Sequence, residues 1–158
     1  MNNIFDYAKD DRTVEKYQKD FEVGVYNQNV VLQNINKQYV LVKRIEKFND
    51  FVDVYEPDVF IRYGDSGWYP FEVRTTNKPN VTHAYFKPNQ LYRLSELGGY
   101  CLWSDKVRYF VLPAQKIIDY GKTISAEESK FNKESIIIEI GKVTKTFLWK
   151  EPLKFKDN

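Results

Sequence analysis

His83 is the only imidazole in this 158-residue chain and Cys101 the only thiol, so any Ser/His/Asp or Cys/His mechanism has to use one of these two positions. No G-x-S-x-G elbow is present to present a nucleophile. His83 stands in the polar run TNKPNVTHAY, which reads as a loop. Cys101 lies between Tyr100 and Leu102 in an apolar run and reads as a small buried hydrophobe. One Cys and one His exclude Cys/His zinc sites and an internal disulfide, and they fit a reducing, cytoplasmic setting. The glycines at 24, 64, 67, 98, 99, 121 and 141 never produce the spacing of a dinucleotide fingerprint. Gly121-Lys122-Thr123 imitates the end of a phosphate-binding P-loop, but Lys116 occupies the position of its first glycine, so this segment reads as a helix C-terminus.

Two carboxylates remain, Asp58 opening PDVFI and Glu72 within FEVRTT. Side chains alternate along a strand and paired strands lie about 4.8 Å apart, so carboxylates near one end of neighbouring strands can converge on one hard cation. Mg2+ takes one or two carboxylates, completing its shell with waters and phosphate oxygens, so Asp58, Glu72 and a backbone carbonyl suffice for it. Apolar residues enclose both acids, in VYEPDVFI and WYPFEVR. An ionised carboxylate beside a core strand is costly without a cationic partner. The alternative without function is that Asp58 is a turn residue and Glu72 pairs with Arg62 or Arg74 across the sheet.

The elements that must position these residues follow from periodicity. Val14, Tyr17, Phe21 and Val25 recur at steps of three and four, predicting an amphipathic helix from about Asp10 into the low thirties with those residues on its apolar face. YVLVKRI, FVDVY and PDVFIRY are strand-like. Gly64-Asp65-Ser66-Gly67 is turn chemistry that joins PDVFIRY to WYPFEVRTT as an antiparallel hairpin. Pro88 starts a second helix over about 88–97, carrying Leu91, Leu94 and Leu97 and ended by Gly98-Gly99. GYCLW and VRYFVL are strands, PAQKIIDYG is a short helix, and ESIIIEI and VTKTFLW flank Gly141-Lys142 as a C-terminal hairpin with a II′ turn. The expected fold class is α/β, a central mixed β-sheet flanked by helices with a C-terminal β-hairpin.

Composition sets the outer limits. The chain carries 24 Lys and Arg against 22 Asp and Glu, a net charge of +2 that neither demands nor excludes a polyanionic partner. No window approaches the roughly 18 consecutive apolar residues of a membrane span, and MNNIFDYAKDDR is no signal peptide. A single domain is expected over 1–158, with a core at about 10–120 and the hairpin extension at about 134–150.

Pro57-Asp58 followed by Glu72-Val73-Arg74 resembles the two-part motif of the PD-(D/E)XK nuclease superfamily, the restriction-endonuclease-like fold, with Arg where the pattern usually has Lys and with Thr75-Thr76 after it. The resemblance extends over roughly residues 10 to 115 as an order of elements: helix, motif hairpin, helix, strand. It implies a metal-dependent DNA endonuclease, Holliday-junction-resolvase-like or restriction-like, acting on branched or duplex DNA as a homodimer. Mg2+ or Mn2+ would be held by Asp58 and Glu72, with Glu22 on the first helix as auxiliary ligand and Glu15 as the second choice. Arg74 would contact the transition-state phosphate, and Gln90 on the helix after the motif strand would be an orienting group. Lys78, Lys87 and Arg93, with Lys106 and Arg108, are the candidate nucleic-acid contacts. Arginine binds phosphate bidentately but stays protonated and cannot act as a base. Lys78 or Lys87 would then supply the amine, or the chain is instead a catalytically impaired nuclease-fold module that binds nucleic acid or a protein partner.

Overall fold

Thr13 opens the first helix, its Oγ1 accepting the Lys16 N–H at 3.1 Å and satisfying one donor that a helix start leaves unpaired. Helix α1 runs Val14–Asn36 in a computed structural model that describes residues 13–36, 41–44, 57, 59–62, 67–129 and 133–157. Its buried side chains are Val23, Asn27, Val31, Leu32 and Ile35. The expected apolar face is therefore displaced, since Val14 is 66% and Phe21 38% exposed. Length explains the shift. The 23 residues of α1 span about 34 Å, whereas the longest strand beneath it, with seven residues, spans about 23 Å. The row 23, 27, 31, 35 is the one that faces inward, and its C-terminal members Val31 and Ile35 join the sheet-side core.

The strands that follow are β1 (Leu41–Arg44), β2 (Val59–Arg62) and β3 (Tyr69–Thr75). They pair antiparallel in succession, with Val59 opposite Phe71 and Ile61 opposite Tyr69. The expected motif hairpin is thus present as a strand pair, while FVDVY, residues 64–66 of its turn and Asp58 itself lie outside the described residues. The segment expected as a loop around His83 instead forms β4 (His83–Phe86), whose alternating burial marks a half-covered strand.

Pro88 begins α2 (Pro88–Glu96), pre-set for a first helical turn. At its end Gly98 adopts φ +68°, and the Gly99 N–H donates to the Leu94 carbonyl at 2.9 Å, a turn that needs glycine's freedom. A Cβ at Gly99 would meet Leu94 Cδ1 at 2.4 Å and the Pro70 carbonyl oxygen at 2.7 Å, so this close approach lets the chain enter β5 (Tyr100–Ser104) directly beside β3. β5 runs parallel to β3, with Glu72 opposite Cys101 and Arg74 opposite Trp103. β6 (Arg108–Pro113) returns antiparallel to β5 and leads into α3 (Ala114–Tyr120).

β7 (Lys122–Ile124) and β8 (Ser135–Glu139) join β4 in a separate antiparallel sheet ordered β4-β8-β7. β9 (Phe147–Leu148) closes the larger sheet, ordered β1-β2-β3-β5-β6-β9. The expected C-terminal hairpin is not formed, because β8 pairs with β4 and β7 while β9 pairs with β6. A II′ turn requires a positive φ at its glycine, and among the described glycines only Gly98 has one. Residues Ile140–Lys142 make a 3-10 turn instead.

The mixed central sheet carries a core on each face. Val31, Ile35, Val59, Phe71, Val73, Leu102 and Tyr109 pack with Trp149 and Leu153 on the α1 side. Phe86, Leu91, Leu94, Cys101, Trp103, Phe110, Ile117 and Ile136 pack on the side of α2, α3 and the small sheet. Among the described residues no helix is long and apolar enough to cross a membrane.

Candidate functional site

β3 is an interior strand, and its pleat sends alternate residues to opposite faces. Phe71 and Val73 enter the α1-side core. Glu72 and Arg74 consequently fall on the other face, where Phe86, Lys87, Gln90 and Leu91 from the end of β4 and the start of α2, with Cys101 of β5, complete a crevice around them. Of the residues expected at a site, Glu72, Arg74, Lys87 and Gln90 line this one crevice. Two elements distant in sequence bring them together: the parallel β3–β5 pair fixes Glu72 beside Cys101, and the leucines of α2 seat its first turn over that pair through Leu91 and Leu94.

Glu72 is 6% exposed. Its charge and that of Arg74 both act on Cys101: burial first, and then the Glu72 carboxylate, push the thiol well above its ordinary range, while Arg74 pulls the other way. A thiol held protonated is a poor nucleophile, in keeping with the reading of Cys101 as a small buried hydrophobe. On the opposite face, Gln28 of α1 donates from Nε2 to the Val73 carbonyl at 2.9 Å. The peptide between the acid and the arginine is thereby tied to the helix.

The remaining expected positions lie elsewhere. Glu22 is exposed on α1, where its Oε1 accepts from Gln18 Nε2 at 3.3 Å, and Glu15 is exposed in the first turn. Neither lines the crevice. The auxiliary-ligand expectation leaned on a core-facing Phe21, and the inward row begins instead at Val23. Arg93 pairs with Glu96 at 3.6 Å on α2. Lys78 and Lys106 are exposed. Arg108 is used internally: its Nε donates to Asp105 Oδ2 at 3.0 Å and its Nη2 to the Val81 carbonyl at 2.7 Å, with the guanidinium over the Trp103 ring. His83 opens β4, its Nδ1 2.8 Å from Thr82 Oγ1, and does not line the crevice.

A metal at this place would find one hard carboxylate, Glu72, among the lining side chains. Mg2+ accepts so few protein ligands when phosphate and water supply the rest, and oxygen donors suit it, so Glu72 fits. Among the described residues no group of three or more His, Cys, Asp or Glu gathers, and Asp58 lies outside them. Sequence reasoning missed Cys101 as a wall of the site and Gln28 as a brace. The signal for Gln28 is a polar residue three places before the buried Val31 on the same helix. Compared with family models and with curated proteins, the sequence matches none.

Proposed function

We propose that this chain is a metal-dependent DNA endonuclease that hydrolyses phosphodiester bonds, of the restriction-endonuclease-like or Holliday-junction-resolvase-like kind. One observation carries the proposal: Glu72, a buried carboxylate, shares its crevice with Arg74, Lys87 and Gln90 at the middle of the sheet. The element order lends support, with a helix, three successively antiparallel strands, then, after β4 of the small sheet, a helix and a strand parallel to the third. An ionised acid in such surroundings needs cationic compensation, and a cluster of one acid with two cations and an amide suits a phosphodiester bridged through a divalent ion.

Bound Mg2+ or Mn2+ would polarise the phosphoryl oxygens and make its water more acidic. Glu72, with Asp58 as the proposed second carboxylate, would hold that ion. Arg74 would bind a non-bridging phosphate oxygen and stabilise the charge that grows there in the transition state. Gln90 would orient the attacking water or the phosphate, and Lys87 would supply the amine that Arg74 cannot. Cutting both strands of a duplex or junction takes two such sites, which a homodimer would provide.

The test is cleavage of four-way junction, duplex and single-stranded DNA with Mg2+ or Mn2+, comparing the wild type with Glu72→Gln and Asp58→Asn. Cleavage only with metal, lost in both variants, is the expected result. Cleavage that survives both substitutions rejects the site. The second reading, a catalytically impaired module that binds nucleic acid or a protein, is favoured by Arg74 itself, which cannot serve as a base. In that case wild type cuts nothing, and gain of cleavage in Arg74→Lys would mark an impaired enzyme.

A further inference from the structure

The carboxyl ends of the parallel strands β3 and β5 lie side by side, linked beyond the ladder by the Thr76 N–H donating to the Ser104 carbonyl at 3.1 Å. In open α/β sheets ligands settle outside this end of the strands. The C-terminal segment runs past it. The Trp149 N–H donates to the Val107 carbonyl at 2.9 Å, and the Leu153 N–H to the Lys106 carbonyl at 2.7 Å. Further on, the Lys156 N–H donates to Asn27 Oδ1 at 2.8 Å, while the Lys156 carbonyl accepts from Asn27 Nδ2 at 3.1 Å and from Asn77 Nδ2 at 3.4 Å. Asp157 accepts from Asn77 as well. Trp149 and Leu153 are buried, so this stretch is fixed on its inner side and presents its charged side chains outward.

Charge is unevenly placed along the chain. Residues 142–158 hold five lysines against Glu151 and Asp157, a net of +3 that exceeds the +2 of the whole protein. Lys142 is engaged with Glu139 at 3.2 Å, and Lys156 sits over the Tyr26 ring at 4.2 Å. Lys150 and Lys154 are exposed, as are Lys106 in the β5–β6 turn and Lys78 just beyond β3. Among nearby acids Asp105 is buried against Arg108 and Asp157 is bonded to Asn77, while Glu151 is exposed. We propose that Lys78, Lys106, Lys150 and Lys154 form a phosphate-binding rim for a nucleic-acid backbone at the carboxyl end of β3 and β5, with the C-terminal segment as its outer wall. This deepens the nuclease proposal and rests on it for the identity of the polyanion. An anionic membrane is the rival surface for such a patch, but basic residues that bind bilayers are typically carried on an amphipathic helix, and these lysines sit on turn and extended segments. The exposed ring of Phe147, beside the rim on β9, adds a platform on which a base can stack.

Binding is measured apart from cleavage, by fluorescence anisotropy of labelled duplex and single-stranded oligonucleotides without divalent metal, over a salt series. The full chain is compared with the triple variant Lys106→Gln, Lys150→Gln, Lys154→Gln, and with Lys116→Gln, Lys122→Gln on α3 and β7 as a control of exposed lysines elsewhere. The triple variant is expected to bind at least about 10-fold more weakly and to reduce the slope of log K against log salt by about 2 to 3, near 0.9 per lost duplex contact. The control is expected to match wild type. Equal losses in both variants, wild-type binding by the triple variant, or capture by phosphatidylserine vesicles without oligonucleotide binding would each overturn the rim. Wild type that binds through these lysines yet cleaves nothing in any metal removes the nuclease proposal and leaves the rim standing.

Discussion

Trp149 is where the C-terminal segment is most firmly held, and its substitution predicts a graded loss. Its ring stacks on Tyr109 with centroids 4.1 Å apart, its Nε1 donates to the buried Ser104 Oγ at 2.9 Å, and its backbone N–H reaches the Val107 carbonyl. Trp149→Phe keeps the stack and the backbone bond but removes the indole donor. The Ser104 hydroxyl still donates to the Asp105 carbonyl at 2.7 Å, so the loss is one neutral hydrogen bond of about 1 kcal/mol together with a small void. Trp149→Ala removes the ring altogether, and the core around Val73, Leu102 and Leu153 should lose about 3–5 kcal/mol. At about 2–4 °C per kcal/mol for a domain of this size, Trp149→Ala lowers Tm by about 6–20 °C. Urea and thermal unfolding followed by circular dichroism measure both variants. Hydrogen exchange at the Leu153 and Lys156 amides distinguishes the route: if the segment undocks alone, its amides exchange first and the global loss is capped by the free energy of docking. A loss under about 1 kcal/mol for Trp149→Ala, with unchanged exchange at Leu153, refutes the placement of this segment.

Other expectations can be checked alongside. Gly99→Ala has to displace the Pro70 carbonyl as well as Leu94, so it should destabilise by about 1–3 kcal/mol in denaturant titrations. The Cys101 thiol, raised by burial and by Glu72, should resist alkylation in the native protein at pH 8 and react on unfolding. In the unfolded chain that thiol loses its proton near the ordinary 9.0 while the folded one keeps it, so its contribution is intact at lower pH and is lost as pH climbs past that value. Tm should therefore fall more steeply above pH 9 in wild type than in Cys101→Ala. Arg108→Met strands the buried Asp105 carboxylate, although the Val107 and Arg108 amides still donate to it at 2.8 Å. With the Arg108 side chain 27% exposed to screening water, about 1–3 kcal/mol should be lost, measured by denaturant titration.

Local pattern made some of this fold legible and long-range pairing hid the rest. The β2–β3 pair announced itself through two β-rich runs around turn residues, and α2 through Pro88, three leucines and Gly98-Gly99. Those signals act within a few residues. The fate of SIIIE depended on β4 and β7, partners some fifty residues before it and ten before it in sequence, and no turn chemistry at Gly141 could reveal that. Similarly, α1 carries two rows of apolar residues, and only the extent of the sheet beneath decides that the one starting at Val23 is buried. At the site, strand alternation was enough to set Glu72 and Arg74 on one face. The contribution of Cys101 required the parallel register, and that of Gln28 the docking of α1 on β3.

The most direct measurement is metal-dependent cleavage by purified wild type and Glu72→Gln, assayed with Mg2+, Mn2+ and EDTA on four-way junction and duplex DNA, with the fold of each verified by circular dichroism. The site described predicts cleavage by wild type with metal alone, and a loss of at least about 100-fold in the folded Glu72→Gln protein, on the scale of removing one group that stabilises transition-state charge. Cleavage by folded Glu72→Gln at the wild-type rate would contradict the central claim.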